Sequence, residues 1–548
     1  MTNGQELWIR LTSSLLALTG PIRTGRRFTS LGGLATAVVL LAAMPLLYVI
    51  YNSLQLSADE WLQLWSSRLP ELLWNTLSLA VLVAVGCVLL GVSSAWWIAR
   101  RDFPGRKLAT WLMILPLTVP TYVFAHIYTT LLEEDGWLGR LWLGLFGETT
   151  QLPDLYNIWG TTLILSLAGF SYVFLLARAA LSQPTRSLEE AARIQGASTL
   201  EVFWRVNLPL LRPAIAAGLA VVVLHVLSDF GAVSMLRFQT FTLSIYLQMS
   251  GRFDYQAAAG LSLVLVMLSL TFLVLERFFR SRQRYYSARH SRQQSLRQAT
   301  PLETSLIWIW LGLITLLAFG LPLAWMLSWS WQAWAGDLIN AEFWGYAGNS
   351  LMVAVVAATL AVIAAFPVAF YNARKRSLGS QALLQFSSVG FVLPGPVIAL
   401  GILSFLLAQL PLLYGGLAAL FIALVIRFLP LAVQSQDAAL AQLTPSVEQA
   451  SRSLGAGPLE TLWRVVLPMI RGGMATAWVL VFIDTLKELP ATLILRPTGF
   501  DTLPVRIWIE ASEEMLELAA PAALMLVIGT LPVLWIMMKN HSLSMDKD

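Results

Sequence analysis

The sequence predicts an all-α integral membrane protein of about 12 transmembrane helices, arranged as two parallel six-helix repeats. Composition gives the first half of that statement. Of 548 residues, 57% are hydrophobic and 12% charged, about half the charged share of a soluble domain, and the mean hydropathy is +0.68. A soluble multidomain enzyme is excluded, and so is a disulfide scaffold, because Cys87 is the only cysteine. It sits in an apolar run and reads as core packing. Internal repetition gives the second half.

A membrane-crossing helix needs about 20 mostly apolar residues, each adding about 1.5 Å across about 30 Å of hydrocarbon. Such stretches lie near 31–54, 73–99, 108–132, 157–181, 213–236 and 255–278, then near 304–329, 350–371, 382–409, 412–436, 473–496 and 516–538. The loop at 133–156 has room for a short surface helix from Trp137 to Phe146. Residues 1–30 form an amino-terminal segment, 31–278 the first repeat, 279–303 a basic linker, 304–538 the second repeat and 539–548 a tail. The first apolar run is too long for a cleavable signal, and Arg23, Arg26 and Arg27 precede it.

Basic residues crowd alternate loops: Arg100, Arg101, Arg106 and Lys107, then Arg374, Lys375 and Arg376, with seven arginines and no acid in 277–297. The opposite loops hold Asp59, Glu60, Glu133, Glu134, Asp135, Glu513 and Glu514. By the positive-inside rule the basic loops and both termini are expected in the cytoplasm. The arginine-rich linker reads as a solvated segment beside anionic lipid headgroups.

The halves repeat without a gap from 189–212 to 448–471, at an offset of 259, with 13 of 24 positions identical. Upstream, Asn75-Thr-Leu matches Asn349-Ser-Leu and Ala99-Arg-Arg matches Ala373-Arg-Lys. An even number of spans per copy makes the repeats parallel.

The best-matched segment lies between the fourth and fifth spans of each copy, in the loops 184–212 and 443–471. Copy one reads Glu190-Ala-Ala-Arg-Ile-Gln-Gly196 and then Val206-Asn-Leu208-Pro209; copy two reads Gln449-Ala-Ser-Arg-Ser-Leu-Gly455 and then Val465-Val-Leu467-Pro468. The acid and alanines start a helix well, and glycine suits a break at positive φ. A second short amphipathic helix follows, with Leu200, Phe203 and Trp204 at helical spacing. Pro209 and Pro468 then open the next span, where a missing N–H costs little. Two helices lying on the bilayer surface would explain Trp204 and Trp463 but not the repeated Gly and Leu-Pro spacing.

That spacing resembles the one shared by permeases of binding-protein-dependent ABC importers. The resemblance implies the fold of a type I importer permease, and it implies that each loop docks on a separate ATP-hydrolysing subunit. By position, the coupling residues are Glu190, Ala191, Gly196, Leu208 and Pro209 in copy one and Ala450, Gly455, Leu467 and Pro468 in copy two. Gln449 departs from the pattern, with Glu448 one place early, which puts an ion pair there in doubt. The chain has no G-x4-G-K-[ST] loop. It is therefore expected not to be an enzyme and to hold no cofactor, with ATP and Mg on two partner ATPase subunits.

Ionisable residues inside spans cost about 2.5–3.5 kcal/mol each on insertion scales and mark functional candidates. The fifth span contains His225 and Asp229, and the eleventh contains Asp484, Lys487 and Glu488. The offset of 259 pairs Asp229 with Glu488 and His225 with Asp484, and Gly231 with Pro490 just beyond, residues able to break the helix there and free backbone carbonyls. These residues either form internal links (Asp484 or Glu488 with Lys487, Asp229 with His225) or line a translocation path, and the two roles are compatible. Arg427 is a further buried charge, and its neighbour Pro430 suggests a kink.

The runs Asp229-Phe-Gly-Ala-Val, Gln239-Thr-Phe-Thr and Asp484-Thr-Leu-Lys-Glu-Leu-Pro-Ala-Thr, with Arg496-Pro and Phe500-Asp-Thr-Leu, look like the ferric-iron branch of that family, as does the fusion of two units. The resemblance implies an inner-membrane permease of a bacterium that receives ferric iron from a periplasmic iron-binding protein. Its partners would be that protein, the two ATPases and lipid, with no nucleic acid. Acidic side chains suit a hard cation, but two acids are too few for a dry trivalent site, so a hydrated path without a tight metal site is expected. Thiamine, polyamine and oxyanion permeases are similar, and an ion-coupled secondary transporter also fits twelve spans without needing the doubled loop.

Overall fold

A computed structural model describes residues 26–181, 192–281, 297–375 and 377–545. Among these, nine helices are long and apolar enough to cross a membrane: Leu31–Ser53, Leu69–Arg100, Ile158–Leu181, Trp204–Ser228, Tyr255–Leu275, Pro301–Ala335, Ala341–Lys375, Leu417–Gln442 and Pro458–Leu486. The third expected place is filled by Arg106–Thr118 and Thr121–Leu131, bent by 95°. Shorter apolar helices, Gly395–Gln409 and Leu516–Pro532, fill the ninth and twelfth. The chain is an all-α, multi-pass membrane protein of two repeats, and what the sequence misjudged is continuity.

Four of the expected spans are interrupted, two of them at Gly231 and Pro490, the matched positions where the sequence allows a break. Pro116 sits in a 3-10 turn at Leu115–Thr118, and Pro120 stands just before Thr121–Leu131. Proline lacks the N–H that would carry the helix through and holds the preceding residue extended. In the second copy, Leu378–Ser387 and Val389–Val392 end before Pro394, which caps Gly395–Gln409. The fifth span stops at Ser228 and restarts as Gly231–Met235; the eleventh stops at Leu486 and restarts as Pro490–Leu495. Broken backbone at this depth is tolerated where protein surrounds it and supplies hydrogen bonds.

The surface helix Trp137–Phe146 forms where expected. Two helices not foreseen, Phe241–Ser250 and Leu503–Ser512, follow the restarted spans in corresponding positions.

Within each half, the second, fourth and fifth spans pack on one another, and their counterparts Ala341–Lys375, Leu417–Gln442 and Leu467–Leu486 do the same. Small residues allow close approach: a Cβ on Gly91 would lie 2.8 Å from the Phe170 carbonyl. Cys87 is buried here, its Sγ 3.8 Å from the Ser166 carbonyl. The first span of each half instead crosses to the other. Leu31–Ser53 packs on spans of the second half, with Gly401 against Pro45 and the Tyr48 and Phe405 rings 5.3 Å apart. The seventh span returns the arrangement: Trp325 meets His126 at 5.4 Å, and Tyr128 donates to the Leu317 carbonyl. The halves are interlocked.

The end of the linker is tied down. Arg297–Gln298 pairs in parallel with Arg101–Asp102, Ala299 N–H donates to the Asp102 carbonyl at 2.9 Å, and Arg101 meets Glu303 at 3.3 Å. The outward faces of the spans carry exposed Val81, Leu89, Met267 and Ile363, as a lipid-facing surface should.

Candidate functional site

The two repeated loops follow the fourth and tenth spans, Ile158–Leu181 and Leu417–Gln442, at the face carrying the basic loops. In copy two, the helix Pro445–Ser453 ends at Leu454, and Gly455 turns the chain at φ +90°. Its N–H reaches the Arg452 carbonyl at 3.0 Å, and Ala456 N–H reaches the Ser451 carbonyl at 3.2 Å. Copy one makes the same turn: Gly196 has φ +87°, its N–H bonds the Arg193 carbonyl at 2.9 Å, and Ala197 N–H bonds the Ala192 carbonyl at 3.0 Å. An L-residue at that φ is strained, which is why both copies need glycine. Glu190 and Ala191 lie outside the described residues.

Next come the short helices Thr199–Val202 and Pro458–Thr461, each running through one π turn into the following span. Pro209 and Pro468 thus sit in the first turn after the π turn, with Leu208 and Leu467 before them. In copy one, Ser198 and Glu201 form a capping box, with Ser198 N–H 2.9 Å from Glu201 Oε2. The backbone N–H and hydroxyl of Ser198 hold the Glu201 carboxyl below its usual range. Copy two closes its loop by Ser451 Oγ and Thr461 Oγ1 at 3.1 Å.

The ion pair left in doubt by Gln449 exists, on its neighbour. Glu448 is buried and its Oε1 lies 2.5 Å from Arg374 Nε, while Arg374 Nη1 donates to the Leu443 carbonyl at 3.2 Å. Gln449 and Ala450 are exposed. Arg100, the residue matching Arg374 in the repeat, donates to Asn207 Oδ1 at 3.1 Å. Each loop is therefore tied to the end of the second or eighth span by an arginine. The repeat of Ala99-Arg-Arg was the available signal. Between these ties the loops present Ile194, Leu454, Leu459 and Trp463 to solvent, apolar side chains of the kind that seat against a partner.

The intramembrane acids cap helices. Asp229 Oδ1 accepts from the N–H groups of Ala232 and Val233 at 3.0 and 3.3 Å, and Thr121 Oγ1 donates to Oδ2 at 2.6 Å. Its expected link to His225 is replaced by this hydroxyl, because the restarted helix turns the carboxylate toward its own N-terminus. Glu488 does the same: Ala491 N–H on Oε1 at 2.9 Å, and Thr492 N–H and Oγ1 on Oε2 at 3.0 and 2.9 Å. Anionic groups at helix N-termini are stabilised by the free N–H groups and the dipole. Both acids are nearly inaccessible, at 7% and 5% exposure.

The copies differ in the third partner. Where the first has Thr121 and Ala168, the second has Gly395 and Arg427. Arg427 Nε lies 3.7 Å from Glu488 Oε1, and its Nη1 occupies space 2.9 Å from where a Gly395 Cβ would be. Pro430 leaves the Ile426 carbonyl without its i+4 donor, and Gly390 packs against that carbonyl.

His225, Asp484 and Lys487 are more open. The Asp484 side chain is 43% exposed and sits 3.9 Å from Lys487 Nζ, which also donates to the Leu117 carbonyl of the other half at 3.1 Å. His225 is exposed too, 5.8 Å from the Tyr172 ring, near enough for the Lys487 and Arg427 charges to act on it. His225 of the first half and Arg427, Asp484 and Lys487 of the second thus form one polar cluster where the halves meet. Among the described residues, no group of three His, Cys, Asp or Glu is placed to hold a metal ion.

Beyond the restarted helices, away from the basic loops, the halves meet through aromatic side chains. Tyr246 and Trp508, on the corresponding helices Phe241–Ser250 and Leu503–Ser512, meet at 5.9 Å, with Phe230 at 4.8 Å from Tyr246. Trp508 Nε1 donates to Ser234 Oγ at 3.2 Å across the halves. The matched Asn75 and Asn349 hold these helices, donating to the carbonyls of Gln239 at 3.1 Å and Asp501 at 2.9 Å. Beside them, Thr76 and Ser350 hydroxyls accept the N–H groups of Phe241 at 3.4 Å and Leu503 at 2.7 Å.

Residues 87–285 and 357–539 each match the family described as binding-protein-dependent transport system inner membrane component. The chain is similar to the Fe(3+)-transport system permease protein FbpB 2 of Haemophilus influenzae, 31% identical over 90% of this chain and 95% of that one. It is also similar to the putative ferric transport system permease protein FbpB 1 of the same organism, 26% identical over 82% and 73%. The sulfate transport system permease protein CysT of Escherichia coli is 29% identical over 44% of this chain and 88% of its own.

Proposed function

Because the chain belongs to the binding-protein-dependent inner membrane transport components, with two units of that family in one polypeptide, we propose that it is the permease of an ATP-driven importer that carries ferric iron into a bacterial cytoplasm. The observation that carries the substrate is the 31% identity to a ferric permease along 90% of the chain; the sulfate permease matches over 44% of it. The basic loops and both termini face the cytoplasm, and the acidic loops receive a periplasmic iron-binding protein.

Two ATPase subunits, with ATP and Mg, grip the loops around Gly196 and Gly455. Ala450 lies on the first helix of its loop, and Leu208-Pro209 and Leu467-Pro468 pass the movement to the fifth and eleventh spans. The ties through Arg100 and Arg374 make each loop move with its own half. ATP favours the arrangement it binds better, and that difference in affinity drives the change. The Tyr246–Trp508 closure belongs to the state shut toward the binding protein. When the halves rock, Asp229 and Glu488 keep the restarted helices intact, while His225, Asp484 and Lys487 face the cargo.

The test is uptake of radiolabelled ferric iron in cells carrying the chain with its ATPase and binding protein, against a strain lacking the chain. ATP-dependent uptake absent from the deletion supports both class and substrate. Absent uptake with ATPase activity intact removes iron and leaves the permease. No association with any ATPase removes the permease reading.

A further inference from the structure

The two helices that meet at Tyr246 and Trp508 correspond residue for residue, Phe241 to Leu503 and Tyr246 to Trp508, yet they are held differently. In the second half a chain of charges fixes the helix to its surroundings. Arg496, at the end of the restarted helix, pairs with Asp501, whose other oxygen lies 3.5 Å from Arg506 Nη1. Arg506 also donates through Nε and Nη2 to Glu510 Oε1 at 3.0 and 2.7 Å. Its guanidinium lies 4.9 Å from the Tyr346 ring on the eighth span. None of the four charged side chains is more than 26% exposed. Such partly buried pairs are little screened, and separating them leaves charges without partners.

The first half keeps the places and lacks the charges. Gln239, Ser244 and Gln248 stand where the second has Asp501, Arg506 and Glu510, and buried Leu72 stands for Tyr346. Ser244 Oγ reaches Gln239 Oε1 only at 3.4 Å, near the limit of a hydrogen bond. Arg237, the match of Arg496, turns instead to the Tyr156 ring at 5.7 Å. Gln248 is 3% exposed, and its Oε1 accepts no hydrogen bond among the described residues. A buried oxygen without a donor costs free energy in this arrangement, and a movement that supplies one recovers it.

Resting on the importer reading above, we propose that the outer closure is one-sided. Phe241–Ser250, carrying Tyr246, is the leaf that swings, and Leu503–Ser512, carrying Trp508, is the post against which it shuts. The chain of charges through Arg496, Asp501 and Arg506 holds the post to the eighth span while the halves rock. Opening outward then breaks the Tyr246–Trp508 contact and the Trp508–Ser234 hydrogen bond by movement of the first half's helix.

The experiment uses the full chain with its ATPases and binding protein, reconstituted in lipid nanodiscs. Spin labels are placed in pairs at exposed positions: Val81 of the second span with Leu247 of the leaf, and Val355 of the eighth span with Ser512 of the post. Cys87 is buried and stays unlabelled. Distances are read by pulsed electron resonance at rest and with ATP hydrolysis arrested by orthovanadate. The expected shift is about 5 Å, one helical turn, for Val81–Leu247 and no more than about 2 Å for Val355–Ser512. Asp501→Gln with Arg506→Ser and Glu510→Gln gives the post the residues of the leaf, and its distance should then shift as far as the leaf's. Equal shifts in both pairs without those substitutions, a larger shift in the second pair, or a post that stays still in the triple variant would each overturn the proposal and leave the importer reading standing. No shift in either pair while ATP is hydrolysed would overturn both.

Discussion

Replacing Arg374 by methionine tests whether the loop of copy two is held to the eighth span by the pair found there. The side chains of Arg374 and Glu448 are 6% and 9% exposed, with 2.5 Å between Nε and Oε1. Removing one partner leaves a buried charge unpaired, which costs about 3–5 kcal/mol; Arg374→Met also frees the Leu443 carbonyl from its donor at 3.2 Å. At about 1.4 kcal/mol per factor of ten, the detached fraction of the loop rises by roughly 100-fold or more. Arg374→Met with Glu448→Met removes both charges together and should recover most of that loss, since a hydrophobic pair of similar volume is often as stable. Amide exchange across Pro445–Ser453 in the purified complex measures the opening directly. Protection within threefold of wild type in the single variant, or lower protection in the double than in the single, would refute the reasoning.

Three further perturbations follow. Gly455→Ala forces an L-residue to φ +90° in open space, a cost of about 1–2 kcal/mol, and should reduce uptake per ATP; Gly457→Ala, at φ −69°, should leave the ratio unchanged. Asn75→Ala and Asn349→Ala each remove one side-chain hydrogen bond worth about 0.5–1.5 kcal/mol; exchange should quicken in Phe241–Ser250 for the first and Leu503–Ser512 for the second, with the spans they leave unaffected. Gly395→Thr would put a Cβ 2.5 Å from Pro490 Cγ and 2.9 Å from Arg427 Nη1, an overpacking cost of about 1–3 kcal/mol, and should lower thermal stability in detergent. Adding Arg427→Ala, which recreates the Thr and Ala combination of copy one, should return part of that stability.

The periodicity of oil and the distribution of arginine made the twelve helical places legible, because twenty apolar residues and a basic flank are features of the linear chain. The breaks were harder. Gly231 and Pro490 hinted at them, but that Asp229 and Glu488 fold back onto N–H groups three and four residues later depends on the restarted helices, which look like continuous apolar sequence. The doubled Gly196 and Gly455 were visible as a spacing, and their positive φ supplies the reason for it. Arg374 and Glu448 were not visible as a pair: they stand 74 positions apart, and only the packing of the eighth span on the loop brings them together. Gln449 drew attention one residue away from the acid that mattered. The Tyr246–Trp508 closure had no signal in either copy alone, since it exists only where corresponding helices meet.

The interlocked first spans set an order of assembly. The helix Leu31–Ser53 leaves the ribosome first, yet its partner surface around Gly401 is made about 350 residues later, a delay of some 20–70 s at ordinary rates of synthesis. During that wait it has only lipid and the sixth span beside it. The seventh span meets His126 and Tyr128 of a first half already made, and waits only for the helix Leu516–Met545 of its own half. Biogenesis is therefore lopsided in a molecule whose finished form is nearly symmetric. The joining segment acts here as a timing device: it delivers the second unit to a first one whose leading helix is still waiting for its place.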